Sequence, residues 1–440
     1  MKYLVAALCF IALLSSCKDD GDGTTTPAET GDPSILWEKE LLGQFGGTEI
    51  IVSKVVSDKF DNIYIAGGFE GTINFNDEEF GFLDLVLESE GRLDPFLVKY
   101  DKNGVPQWLR TCNTPSQVDD YFTDMVLVND EIWVCGVSDI AQTFMTFDLS
   151  GNNTWTDNSR LEAYSMDADA SGNVYVSGAA RRGNGDVYTI IEKVTSGKSV
   201  EWVKEFDTYE DSEDKSSEVG VFDDGSVLLA SPYEKGLALR KFSSTGDSIW
   251  TKGLNDGAKI SVRNLYITNE DKVLINGVFT GARTTGSIDL GIDLDPSEEV
   301  ARFTNARIGL DRFFVLLDND GKYIWGDDLF TDLWDETYEM IDYKGGFLIS
   351  GKFVGGIYSG GSSTTGSSED IGVSRDRLIF FDKISGSPSV YDFAGDDDLD
   401  LLMEGIVSLS DNSLVTVGSR GPSEIDPGTS DVIIYIQRRE

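Results

Sequence analysis

Carboxylates are the groups through which this sequence could do chemistry. They occur in pairs at Asp119-Asp120, Asp335-Glu336 and Asp397-Asp398, the last two inside longer acidic stretches. Crowded carboxylates support two chemistries. They can ligate a hard cation such as Ca²⁺, or a pair flanking a glycosidic bond can act as acid and base. Trp334 and Phe330 sit beside one of these runs, where an aromatic ring could stack on a sugar or plug a channel. Histidine is absent from all 440 residues. That excludes a Ser-His-Asp triad, a Cys-His pair and an imidazole zinc site. No nucleophile motif appears, so no residue is assigned a catalytic role.

A plainer reading of the acids competes with these. Asp caps tight turns and keeps a surface soluble. It is preferred here, because no loop places ligands at positions 1, 3 and 5 of a calcium motif. Asp318-Asn319-Asp320-Gly321 comes near, but Leu316 stands where the first ligand belongs, and the segment reads as a turn. Asp293-Leu294-Asp295 is a similarly weak match. Calcium stays a candidate cofactor, with Asp119, Asp120, Asp335, Glu336, Asp397 and Asp398 as candidate ligands and Phe330 and Trp334 as candidate binding residues. The acids outnumber the bases 77 to 36, for a formal charge of −41. Such a chain repels phosphate backbones, so nucleic acid is not an expected partner.

The elements that position these groups come from a repeat. Trp37, Trp108, Trp155, Trp202, Trp250 and Trp325, with Tyr391 as a seventh member, recur at intervals of 71, 47, 47, 48, 75 and 66 residues. Six of the seven follow a turn glycine by four or five residues: Gly104, Gly151, Gly197, Gly246, Gly321 and Gly386. Around each lie four short runs rich in Val, Ile, Phe, Tyr and Trp, separated by Asp, Asn and Gly turns. The second run ends in glycine in most copies, as in Asn173-Val174-Tyr175-Val176-Ser177-Gly178. Helical periodicity is not evident after residue 17. Seven four-stranded units predict an all-β fold, a seven-bladed β-propeller spanning residues 35–440. The body begins with a lone fourth strand around Trp37 and ends with a third strand near residues 431–437, so the N-terminal strand is expected to complete the last blade. Strand alternation then puts the short turns on one face. The long second-to-third loops and the acidic blade-to-blade connections fall on the other.

Two resemblances extend this reading. The repeat resembles the SBBP (seven-bladed β-propeller) repeats of bacterial surface proteins. The matching segments are Asp169 to Gly178, Gly71-Thr72-Ile73-Asn74-Phe75, Asp94-Pro95-Phe96-Leu97-Val98-Lys99 and Asp318 to Trp325, and residues 216–231 drift from the pattern. The resemblance implies a fold and a surface location and carries over no catalytic residue. At the start, Lys2 and an apolar run from Tyr3 to Leu14 are too short to span a bilayer and read as an export signal. The ending Leu14-Ser15-Ser16-Cys17 resembles a bacterial lipobox, which implies a signal peptide over residues 1–16 and lipid on Cys17. Residues 17–34 are polar and read as a flexible tether. Its opening acids resemble the surface-export signal of some Gram-negative lipoproteins. Cys112 and Cys135 then remain, expected as free, partly buried thiols, though a bond between them is sterically open.

These readings predict an outer-membrane lipoprotein of a Gram-negative bacterium, exposed at the cell surface and touching the membrane through its lipid alone. The function expected is non-enzymatic: a binding or scaffold propeller that presents its acidic loop-rich face to a protein or glycan. A carboxylate-based hydrolase or lyase acting on extracellular polysaccharide is one alternative, and a structural subunit of an envelope lipoprotein complex is another.

Overall fold

Every blade is a meander of four antiparallel strands, and seven blades follow one another around a common axis. The computed structural model describes residues 35–74, 86–90, 92–112, 119–137, 144–157, 161–183, 185–207, 217–233, 236–255, 259–280, 282–284, 287–289, 291–297, 302–304, 311–330, 335–354, 357–359, 362–365, 374–384, 386, 388–392, 401–420 and 433–439. Blade 3 shows the plan: Glu162–Ala168, Val174–Arg181, Val187–Val194 and Val200–Asp207, in that order from the axis outward. The first, innermost strands of blades 2, 4, 5, 6 and 7 are Tyr121–Val128, Glu218–Val221, Lys259–Ile267, Asp335–Tyr343 and Leu401–Ser408.

Blade 1 and blade 7 share one long strand, Ile35–Ser57. Its first part pairs with the last strand, Ile433–Arg439, from Ile35 opposite Arg439 to Leu42 opposite Ile433. Its second part is the innermost strand of blade 1 and pairs with Ile63–Asn74. The ring therefore closes as the repeat count requires, and two free sheet edges disappear. Trp37 lies opposite Arg438, a few residues nearer the C-terminus than the third-strand apolar run.

The repeated residues turn out to be the joints of the ring. On blade 1, Trp108 lies against the third-to-fourth turn of blade 2, so close that a Cβ on Gly151 would fall 2.7 Å from the ring. Its Nε1–H donates to Leu149 O of that turn at 3.1 Å. Lys99 Nζ donates to the same carbonyl at 3.1 Å while lying 5.1 Å from the centre of the Tyr64 ring. Blade 3 repeats the device with Tyr175, Lys193 and Trp202, both donors meeting Ser244 O. Trp37 closes the circle on Gly104 and Lys102 O. The turn glycines adopt φ of 77° at Gly104 and 80° at Gly151, a left-handed geometry that costs glycine little. Trp155 departs from the pattern and packs on Trp133 at 5.7 Å instead.

The glycine that ends the second strand has a different cause. Six of the seven innermost strands bulge at one level, between Val52 and Lys54, Phe122 and Asp124, Ala163 and Ser165, Val262 and Asn264, Thr337 and Met340, and Met403 and Gly405. Just before the bulge a carbonyl of the inner strand passes over the second strand. A Cβ would meet Ile51 O at 1.8 Å on Gly67, Glu162 O at 2.1 Å on Gly178 and Ser261 O at 2.4 Å on Gly277. No side chain fits there.

The acids that resemble calcium loops are turn caps. Asp318 Oδ1 accepts N–H bonds from Asp320 and Lys322, and Asp101, Asp148 and Asp169 do the same in their own turns. Apolar clusters fill the spaces between blades, with Ile63, Tyr64, Phe96, Tyr175, Ile275 and Phe313 almost wholly buried. Each such side chain contributes about 2 kcal/mol by leaving water.

Candidate functional site

The bulges shape the axis. At or just past that level each inner strand carries one residue at the same depth: Lys54, Asp124, Ser165, Glu218, Asn264, Glu339 and Gly405 around the seven blades, with Glu339 inside the bulge of blade 6 and Glu218 on a strand with no bulge among the described residues. Residues from all seven inner strands wall a cavity of about 650 Å³. It runs from this polar level toward the first-to-second turns, reaching Ser57, Val128 and Ala170. Among the described residues, then, the cavity occupies the short-turn half of the axis and not the loop-rich half in which the sequence places the candidate site.

Gly405 explains the central contact. With no side chain on blade 7, Lys54 of blade 1 reaches past it to blade 6 and donates to Glu339 Oε1 at 2.8 Å. Its Nζ also lies 3.8 Å from Asp124 Oδ1 on blade 2. A Cβ on Gly405 would meet Val55 Cγ2 at 2.4 Å, so a larger residue has no room. Burial alone would lower the Lys54 pKa, but the Glu339 and Asp124 carboxylates outweigh it and hold the ammonium well above its ordinary range. Lys54 is therefore a fixed cation and not an amine nucleophile, which would need a depressed pKa.

The other polar residues of the ring seal the exposed edges of the inner strands. Asp124 accepts N–H bonds from Met125 at 2.8 Å and, across the blade gap, from Met166 at 2.7 Å. Ser165 Oγ accepts from Val219 N–H at 3.2 Å, and Asp167 accepts from Val221 at 2.8 Å and Ala168 at 2.8 Å. Asn264 Nδ2 donates to Tyr338 O at 2.8 Å. The bonds to Asp124 from Met166, to Ser165 from Val219, to Asp167 from Val221 and from Asn264 to Tyr338 each tie one blade to a neighbour, and each satisfies a backbone group that an innermost strand leaves free. Glu218 differs. Burial pushes its pKa well above the carboxylate range, the neighbouring Asp124 adds to the effect, and Lys54 and Ser165 only partly oppose it. Burial likewise pushes Asp167 up to about 6 against its two N–H bonds.

Of the residues singled out from sequence, the described ones are not among those that line the cavity. Asp119 is half-buried and pairs with Arg92 Nε at 3.2 Å. Asp120 is buried, and its N–H donates to Leu93 O at 2.9 Å. Asp335 and Glu336 open the inner strand of blade 6, opposite Phe353 and Lys352. Phe330 ends the fourth strand of blade 5, opposite Tyr358. Trp334, Asp397, Asp398 and Cys17 lie outside the described residues. No three Asp, Glu or Cys side chains among the described residues are arranged to hold a metal ion. Cys112 and Cys135 are free thiols, one half-buried and one buried. The axial ring itself escapes a reading that treats first strands as apolar runs. Its signal is a polar residue at one repeat-equivalent step, visible once Lys54, Asp124, Ser165, Glu218, Asn264 and Glu339 are aligned.

Fold and site together define a seven-bladed β-propeller with a polar axial cavity. No family model and no curated protein matches the chain. Solved structures resemble it as folds. One is the β-propeller domain of the Trilobed protease from Pyrococcus furiosus, described as having an open velcro topology: 8% identity over 84% of this chain and 89% of that one, TM-score 0.45. Another is a catalytically inactive virginiamycin B lyase from Staphylococcus aureus, at 9% identity over 91% and 99%, TM-score 0.44. A third is the apocarotenoid oxygenase of Synechocystis, at 8% identity over 92% and 94%, TM-score 0.44. No site residue and no activity follows from likenesses this remote.

Proposed function

We propose that this chain is a non-enzymatic binding protein of the SBBP-repeat type, tethered by lipid on Cys17 to the outer surface of a Gram-negative cell, and that it takes its ligand in the axial cavity. One observation carries the reading. The cavity has the volume of a small-molecule site, about 300–1,000 Å³, yet three of the carboxylates at its wall are engaged in holding the ring, and Glu218 has no second free carboxylate opposed to it among them. Both oxygens of Asp124 and of Asp167 accept backbone N–H bonds, and Glu339 is held by Lys54. A hydrolase needs one free acid and one free base facing a scissile bond, and this arrangement favours recognition over catalysis. The acidic loop face remains the proposed contact for a larger protein or glycan.

A thermal-shift screen of small polar molecules tests the cavity. Ligands that bind there raise the melting temperature of the wild type, because binding to the folded state alone stabilises it. They fail to do so in a Val126→Trp variant, whose indole fills the cavity. A screen whose positives shift both proteins equally would overturn the reading. Radiolabelled palmitate should enter the wild type and not Cys17→Ser, and protease added to intact cells should digest the propeller.

A further inference from the structure

Resting on the reading that the axial cavity is a ligand site, we propose that its ligand is an organic cation, an ammonium group carried on an apolar body. The cavity has two tiers. The deeper tier is the ring that follows the bulges, where Asp124, Glu218 and Glu339 contribute three carboxylates against the single ammonium of Lys54. Lys54 is committed to Glu339 and Asp124, and among the described residues no basic side chain forms an ion pair with Glu218. The second tier lies two residues farther along the same strands. There Val56, Val126, Ile341 and Val407 line the wall together with Tyr266 and with Asp167, whose oxygens accept backbone N–H bonds. A cation with an apolar body satisfies both tiers at once: its charge offsets the surplus carboxylate, and its body covers partly exposed aliphatic groups.

One further observation narrows the class. No three ligating side chains are arranged for a metal ion among the described residues, so a bare divalent cation finds no protein shell there. An ammonium needs two or three acceptors, not six to eight. An anion meets the surplus negative charge and is repelled. The raised pKa of Glu218 agrees with a carboxyl that lacks its counter-charge when the cavity holds no ligand.

Isothermal titration of the full-length protein at low salt and pH 7.5 tests this with three isosteric probes: 2-phenylethylammonium, 2-phenylethanol and 3-phenylpropionate. The ammonium is expected to bind at least tenfold more tightly than the alcohol, and the carboxylate not at all. Glu218→Gln, which mimics the neutral acid and so preserves the fold, should weaken the ammonium at least fivefold and the alcohol less. Equal or tighter binding of the alcohol or the carboxylate would overturn the cation assignment and leave the cavity as a ligand site. If none of the three binds while the wider screen yields ligands sensitive to Val126→Trp, the cation assignment again falls alone. If that screen is empty as well, both readings fall.

Discussion

Replacing Glu192 with glutamine should stabilise the protein, and only above mildly acid pH. Glu192 lies on the third strand of blade 3, is 7% exposed, and has no hydrogen-bond partner for Oε1 among the described residues. Burial, helped by the Asp157 carboxylate, pushes its pKa from 4.5 up to about 7. The folded protein thus keeps a proton that the unfolded chain releases, so stability falls as pH rises from 4.5 toward 7 and is level above it. At about 1.4 kcal/mol per pH unit, that shift is worth about 3 kcal/mol. Glutamine carries no charge at any pH and escapes the loss. The expected gain for Glu192→Gln is about 1 kcal/mol at pH 5 and about 3 kcal/mol at pH 8. With an unfolding entropy of about 2 cal/mol/K per residue over a body of about 400 residues, the latter corresponds to about 4 °C in melting temperature. Calorimetric melts of both proteins at the two pH values measure it. Parallel melts, or a variant less stable at pH 8, would refute the argument that this carboxyl is buried and uncompensated.

Three other outcomes follow from the joints of the ring. Gly178→Ala should lose about 2–3 kcal/mol in urea unfolding because its Cβ would lie 2.1 Å from Glu162 O, whereas Gly183→Ala, with nothing within 4 Å, should not. A double-mutant cycle of Lys54→Met and Glu339→Gln should return a coupling of about 1–3 kcal/mol, since either change alone strands a charge deep in the channel; additive effects would dissolve the pair. Deleting residues 35–43 should lower the melting temperature by several degrees and expose Ile433–Arg439 as a free edge, and Trp37→Ala should give a smaller part of that loss through Gly104 and Lys102 O. An unchanged melt for the deletion would count against closure.

The repeat is legible because packing imposes it from blade to blade. A tryptophan that must cover the next blade's turn needs a glycine under its ring, and a second strand crossed by a carbonyl needs a glycine at its end, so both appear as periodic letters. Residues 216–231 drift from the pattern at the end of the second strand, where Ser231 stands in place of the glycine; among the described residues the inner strand of blade 4 pairs from Glu218 opposite Ala230 onward. The turn role of Asp318 is legible in the same way, from its spacing to Gly321.

The axial ring is not legible in one repeat, because Lys54 and Glu339 are 285 residues apart and belong to blades that are not neighbours. What the chain alone determines is the set of local requirements: strand period, turn chemistry, blade count and the overlap of its two ends. What only the tertiary structure decides is which side chains converge on the axis. That depends on a bulge at one level in six of the seven inner strands and on a missing side chain at Gly405 that lets an ammonium cross to the blade beyond. Convergence of this kind is set by ring closure, which places residues at equal depth whatever their separation along the chain.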